Sequence, residues 1–469
     1  MLHARWATVP QAAAALCAAL VAGCGAPGVS AGRGTGEAGA GIPPRPAVRI
    51  DVSSAEELLL RPERVLDDVP GFWERDRAYW LVARHAAEVG YTMPPAGWED
   101  VVRRFASVPD SERAADTRLL LARQLAGAQG LFNERAIPHI LSFFAPDGVD
   151  LTTTVFGTVA TWQNAFQKDY RIVVNLSHPE WRRDPNTILN TLVHELFHVG
   201  FYRGECLMTE LQLDDSERYD VLLNLLNEGM ATWVGYTARG IFPSAVADYA
   251  ALDDSGAVRG AIRGLNALLA SEDSTPAEAF RQRMWEVGVQ QRALYVAGGH
   301  MARAIERAGG RGALASAFRS GPRSFVAAYN RLAGEGARVV EYPAPQALSA
   351  YQEMRRSAVA ADYRAMRRAV AAIRALPAGG GQPVGHALHT TGHLLLSRHE
   401  PDLAVEVFSL YRELFPRHPN PLEGLARAHL MRGDRERAEA ACRDLLAISP
   451  SNSFALETLA GMGATAPGR

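Results

Sequence analysis

Two imidazoles and a carboxylate stand at a spacing that suits a metal: Thr191-Leu192-Val193-His194-Glu195-Leu196-Phe197-His198 has the form H-E-x-x-H. In a helix of about 3.6 residues per turn, side chains at i and i+4 share one face. His194 and His198 then aim at one point, as two corners of a Zn²⁺ tetrahedron require. Glu195 projects about 100° round the helix, where its carboxylate reaches a metal-activated water without displacing it. The competing account of these residues is a pair of core histidines satisfied by neighbouring carbonyls.

A third ligand is needed, and Asn227-Glu228-Gly229-Met230-Ala231-Thr232-Trp233 offers one. Val221, Leu222, Leu225, Leu226, Met230 and Trp233 recur at helical spacing, which predicts a helix from about Ser216 to Tyr236. Glu228 falls inside that apolar pattern, where a bare charge is costly unless paired or bound to metal. Gly229 and Ala231 are small and would let this helix approach the H-E-x-x-H helix closely. The plainer alternative turns Glu228 to the surface beside Asn227.

With these two motifs the chain resembles the gluzincins, zinc peptidases with H-E-x-x-H on one helix and a glutamate ligand on the next. It is most similar to peptidase-MA-like bacterial proteins whose second helix reads N-E-G-x-A. The resemblance spans about residues 150–310. It implies that His194, His198 and Glu228 hold one Zn²⁺ and that Glu195 is the general base. Some gluzincins place an aspartate four residues after the glutamate, to orient a ligand histidine; here Thr232 stands there, a weaker acceptor. The third histidine of metzincins is absent from Val199-Gly200-Phe201-Tyr202-Arg203-Gly204. Leu294-Tyr295-Val296-Ala297-Gly298-Gly299-His300-Met301 resembles the Y-x-x-G helix of several gluzincin branches. Tyr295, or less favourably His300, would steady the oxyanion formed at a scissile carbonyl.

These side chains need a rigid frame. Asp184 followed by Pro185 reads as a helix N-cap with proline at the first position, and Gly200 as the stop. Ile188, Leu189, Leu192, Val193, Leu196 and Phe197 give that helix a wide apolar stripe. Upstream, 151–160 and 171–176 are β-branched and read as strands. In zincins the strand nearest the cleft holds an extended peptide at the sheet edge, a role open to either strand, as is plain sheet core.

The remaining chain bears on location and partners. An apolar run from Ala12 to Val21 ends in Leu20-Val21-Ala22-Gly23-Cys24, which resembles a bacterial lipobox with Cys24 as the lipid-modified residue. An ordinary secretory signal is the alternative, and both export the protein. The following Gly-, Ala- and Pro-rich stretch reads as a tether. The 469 residues are 48% hydrophobic and carry a net charge of −2, so nothing argues for nucleic acid. Of the four cysteines, Cys206 and Cys442 would remain after Cys17 and Cys24 are accounted for, which is no disulfide framework. Residues 49–140 read as mostly helical, with Phe72, Trp73, Tyr79, Trp80 and Leu81 as a dense apolar patch. Tyr351 to Leu376 reads as one long amphipathic helix. Beyond it a 34-residue period pairs Leu388 with Leu422, Ala404 with Ala438, Phe408 with Cys442 and Pro416 with Pro450, with Gly392 and Ala426 at the small position. This resembles tetratricopeptide repeats, which bind a protein partner or dock on their own chain.

The expected fold is α+β and predominantly helical: a zincin-like core with a small sheet, then tetratricopeptide-type hairpins. The expected organisation is a lipoprotein signal peptide at 1–23, a flexible tether at 24–48, the metallopeptidase at 49–340, a linking helix and linker at 341–384 and the repeats at 385–463. The expected function is zinc-dependent peptide-bond hydrolysis on peptide or protein substrates by an exported protein lipid-anchored to a bacterial membrane, at its periplasmic or cell-surface face. Two rivals are an inactive surface lipoprotein that captures a partner through its repeats, and a structural zinc closed by Cys206.

Overall fold

The computed structural model describes residues 46–88, 92–144, 149–161, 164–168, 170–182, 184, 186–204, 208–210, 217–271, 275–341, 349–376, 382–450 and 452–462. The signal, Cys24 and nearly all of the tether expected from sequence lie outside these residues, as does Cys206. No helix among the described residues is long and apolar enough to cross a membrane.

A small mixed sheet organises the first region. Strands β1 (Val48–Asp51), β2 (Thr153–Thr158), β3 (Ala165–Lys168) and β4 (Arg171–Asn175) lie in the order β1-β2-β4-β3. β1 runs parallel to β2 and β2 to β4, whereas β3 is antiparallel to β4 with Phe166 opposite Val173. Ile172, Val173 and Val174 are all buried, as in strands covered on both faces. β2 and β4 are thus interior, their backbone donors and acceptors already used on both sides. Of the two roles open to them, substrate edge or sheet core, both take the second; among the described residues the edges belong to β1 and β3.

Helices surround the sheet. Helix Arg77–Glu88 packs on it, and the Tyr79 hydroxyl donates to the Val159 carbonyl at 2.8 Å. Phe72, Trp73, Tyr79 and Trp98 form one ring cluster, but Trp80 is on the outer face of its helix, 40% exposed beneath the Arg84 guanidinium. Four further helices bear on the site: α1 (Asn186–Gly204), α2 (Glu217–Thr237), α3 (Ala293–Ser320, kinked at Gly310) and α4 (Pro322–Asn330). Buried apolar side chains from Val48 to Val339 make one continuous core.

A second core gathers Tyr351 to Leu459. The single helix expected over 351–376 is two, α5 (Ser349–Val359) and α6 (Tyr363–Arg374). Ala361 turns the chain at φ +57°, and the Asp362 side chain caps α6 by accepting from Ala365 N–H at 2.9 Å. Helical hairpins come next: α7 (Gln382–Ser397) with α8 (Pro401–Leu414), α9 (Asn420–Met431) with α10 (Arg435–Ile448), then α11 (Ser453–Gly461). The Phe408 ring sits against both Gly392 and Gly424, where a Cβ would approach it to 2.5 Å and 2.4 Å. Cys442 is a buried free thiol.

The two regions meet at Met208-Thr209-Glu210. Buried Arg355 of α5 donates to the Met208 carbonyl at 2.6 Å and to the Thr390 carbonyl at 3.2 Å. Glu210 accepts from Arg323 at 3.0 Å, at the start of α4.

Candidate metal centre

Helix α1 begins where the sequence places its cap. Asp184 accepts from the Asn186 N–H at 3.0 Å and from the Thr187 hydroxyl at 2.9 Å. The predicted apolar stripe is buried throughout. Gly200 does not end the helix, which continues to Gly204. A Cβ there would lie 2.7 Å from the Phe144 ring and 2.8 Å from Leu151, so this glycine seats α1 on its neighbours.

Helix α2 carries Glu228 inward, 9% exposed, among Leu225, Leu226 and Met230. The close approach expected of Gly229 is made to α3 rather than to α1. A Cβ on Gly229 would stand 2.4 Å from the Gly298 Cα, and one on Gly298 would stand 2.4 Å from the Leu225 carbonyl oxygen. Backbone touches backbone here, which fixes the residue next to it, Glu228, at a set depth between the helices.

Three atoms converge from α1 and α2. His194 Nε2 and His198 Nε2 are 3.0 Å apart, and Glu228 Oε2 lies 3.3 Å and 3.4 Å from them. Ligands about 2.0–2.1 Å from a tetrahedral zinc stand roughly 3.3 Å from one another, so this triangle is the size of one zinc face. Glu228 Oε2 is buried and makes no hydrogen bond of acceptable geometry, a costly state for a carboxylate oxygen without a cation. The donor set of two imidazoles and a carboxylate suits Zn²⁺, so the residues fit the ion. His194, Glu195 and His198 also offer donor atoms that all lie within 4.8 Å of one another.

Neighbours set the protonation of the cluster. Burial alone would lower His198, but the Glu228 and Glu195 carboxylates outweigh it and push the imidazole up to about 9. Burial likewise opposes ionisation of Glu228, yet His198 and His194 hold its carboxyl far below the usual carboxylate range. Glu195 is partly exposed; its pKa is raised, chiefly by burial, against the pull of both histidines. His198 Nδ1 lies 2.8 Å from Asn227 Oδ1, and in the neutral ring an Nδ1–H donated there leaves the Nε2 lone pair facing His194 and Glu228.

Of the two oxyanion candidates, the structure brings one to the cluster. The Tyr295 ring lies nearly parallel to that of His194, 15° between planes, with centroids 6.2 Å apart. Burial and the Glu228 carboxylate keep its phenol protonated, while the Arg292 cation works the other way. His300 is directed elsewhere: its ring packs edge-on against Tyr329 at 5.8 Å and its Nδ1 is 3.4 Å from Arg303. Five residues on from Tyr295 is about 140° round the helix, so the two cannot share a face. Thr232 does not orient a ligand either; its hydroxyl is buried without a hydrogen bond. Asn227 fills that role, although from sequence it is only a polar neighbour of Glu228. Arg292 and Asp248 also stand at the cluster, and no motif marks them.

One family model matches the chain, over residues 121–336, and is described as "Putative zinc dependent peptidase (DUF5700)". The matched segment contains α1, α2 and α3, and it supports a zinc-dependent peptidase family. No curated protein matches the chain. No solved structure matches it either.

Proposed function

We propose that this protein is a zinc-dependent metallopeptidase that hydrolyses peptide bonds in peptides or proteins. The observation that carries the reading is the triangle of His194 Nε2, His198 Nε2 and Glu228 Oε2, with that oxygen buried and without a hydrogen bond. One Zn²⁺ held by these three would polarise the scissile carbonyl and lower the pKa of a water towards neutrality. Glu195, with its raised pKa, takes the water's proton as it attacks and passes it to the leaving amine. The Tyr295 hydroxyl donates to the developing oxyanion, and Asn227 keeps His198 in the tautomer that binds metal. An extended substrate adds to the outer edge of β3, which packs beside α1.

The proposal extends to the whole chain. Residues 1–23 would be a lipoprotein signal and Cys24 the anchor, placing the enzyme outside the cytoplasm on a bacterial membrane. The hairpins of α7 to α10, with their 34-residue period and the Phe408 ring between two glycines, support a tetratricopeptide-type module that binds a protein partner or docks on its own chain.

Glu195→Gln tests the mechanism. Zinc content by metal analysis should be unchanged, and chelator-sensitive cleavage of a peptide library should fall by at least about 10²-fold. Retained turnover by the purified variant would remove Glu195 from its role.

A further inference from the structure

Arg292 adopts a conformation that arginine rarely takes. It caps the start of α3 at φ +62°, in the left-handed region, where a non-glycine residue is strained. The surroundings that hold it there are specific. Its Nε lies 3.1 Å and 3.2 Å from the two carboxylate oxygens of Asp248, and one terminal nitrogen 2.5 Å from Asp248 Oδ2. Asp248 itself is 7% exposed, on the short helix Ala247–Asp253. The guanidinium carbon sits 3.2 Å from the centre of the Tyr295 ring. That ring is in turn nearly parallel to the imidazole of His194. Among the described residues no hydrogen bond engages the Tyr295 hydroxyl, so contacts to its ring are what set its position.

A phenol oxygen lies on the long axis of its ring, so whatever fixes the ring fixes the donor. A planar cation clamped by a buried carboxylate does this without touching the hydroxyl. We infer that Arg292, locked by Asp248, is the positioning residue that holds Tyr295 ready to donate to the oxyanion. The inference rests on the peptidase reading above and adds to it two residues outside the His194–His198–Glu228 triangle. Two other roles fit this arginine less well. As a clamp for a substrate carboxylate it would need a free fork, but its Nε and one terminal nitrogen are already given to Asp248. As a plain structural ion pair it would not need to cover the face of the phenol ring.

The test is a double-mutant cycle on the zinc-loaded full chain with Arg292→Met, Tyr295→Phe and the pair together. Arg292→Met should lower kcat about 10- to 100-fold with KM within about twofold, and in the Tyr295→Phe background it should add almost nothing. Arg292→Lys should not rescue, because an ammonium cannot keep both the fork and the ring stacking. Asp248→Asn should reproduce the loss in milder form. Additive losses in the cycle, or a change confined to KM, would overturn the inference. A second readout does not depend on turnover. In protein labelled with 3-fluorotyrosine, the ¹⁹F resonance assigned to Tyr295 should shift in Arg292→Met with or without zinc, while zinc content stays near wild type. An unmoved resonance overturns the inference. Absence of any hydrolysis by the wild type, with the resonance shifted as expected, would instead count against the peptidase reading alone.

Discussion

The molecule contains two histidine pairs at the same i, i+4 spacing on two helices, and they live in opposite surroundings. His194 and His198 on α1 meet the Glu228 carboxylate from α2, and His198 is pushed up to about 9. His389 and His393 on α7 have ring centroids 4.4 Å apart, and the Tyr411 and Phe408 rings pack beside them. Burial, with His389 and Arg427 nearby, drives His393 well below the ordinary histidine value. Spacing on one helix therefore makes two imidazoles neighbours and nothing more. What turns neighbours into a metal site is an acid delivered from a second helix at the right depth, and that depth is set by glycines touching in a third contact, between α2 and α3.

The sharpest way to break this comparison is to delete the acid. Glu228→Ala should weaken zinc binding by about 10²–10³-fold, measured by competition with a chromophoric chelator, and abolish cleavage. His393→Ala should leave zinc stoichiometry unchanged. Asn227→Ala should cost roughly 10–100-fold in zinc affinity, since it frees the tautomer of a ligand without removing one. An affinity equal to wild type would show that Asn227 only packs.

The two pairs should also respond to pH with opposite sign. In metal-free protein His198 is raised above its unfolded value of about 6.5, so its stabilisation is complete below that pH and is lost as pH rises towards 9. His393 is lowered, so the unfolded chain binds the extra proton and stability falls as pH drops below about 6.5. Melting temperatures of apo protein, and of Glu228→Ala and His393→Ala, across pH 5–9 would separate the two limbs. Because zinc must displace the His198 proton, its affinity should weaken about tenfold per unit as pH falls below about 9. The smallest effect concerns the glycines. Gly298→Ala meets main chain at Leu225 and Gly229 and should cost about 1–3 kcal/mol. Gly392→Ala meets the side chain of Phe408 rather than main chain and should cost less. Equal losses in chemical denaturation would remove the distinction.

Much of the metal centre is legible in the sequence because its residues violate their surroundings. Two histidines on the inner face of an apolar helix and one glutamate inside another cannot be explained by solvation, so they announce themselves. Residues that act by contact leave no such mark. Asn227 beside an acid reads as a surface amide, and Arg292 as one arginine among many. Gly200 reads as a helix stop because glycine gives one sequence signal for two different needs, an end and a close approach. The four-residue strands β1 and β3 are too short to show alternation, and without them β2 and β4 pass for accessible edges. The turn between α5 and α6 contains neither glycine nor proline; an alanine takes the left-handed conformation there, leaving only the capping aspartate as a sign.

The reach of Arg355 has a mechanical corollary. Its guanidinium is almost wholly buried and grips the carbonyl of Met208, within the stretch that joins α1 and α2, while its other arm holds Thr390. Severing the chain between 341 and 349 and discarding the C-terminal helices would strip that grip away and leave the ligand-bearing half without its brace. The appended hairpins thus act as an outrigger for the segment between α1 and α2.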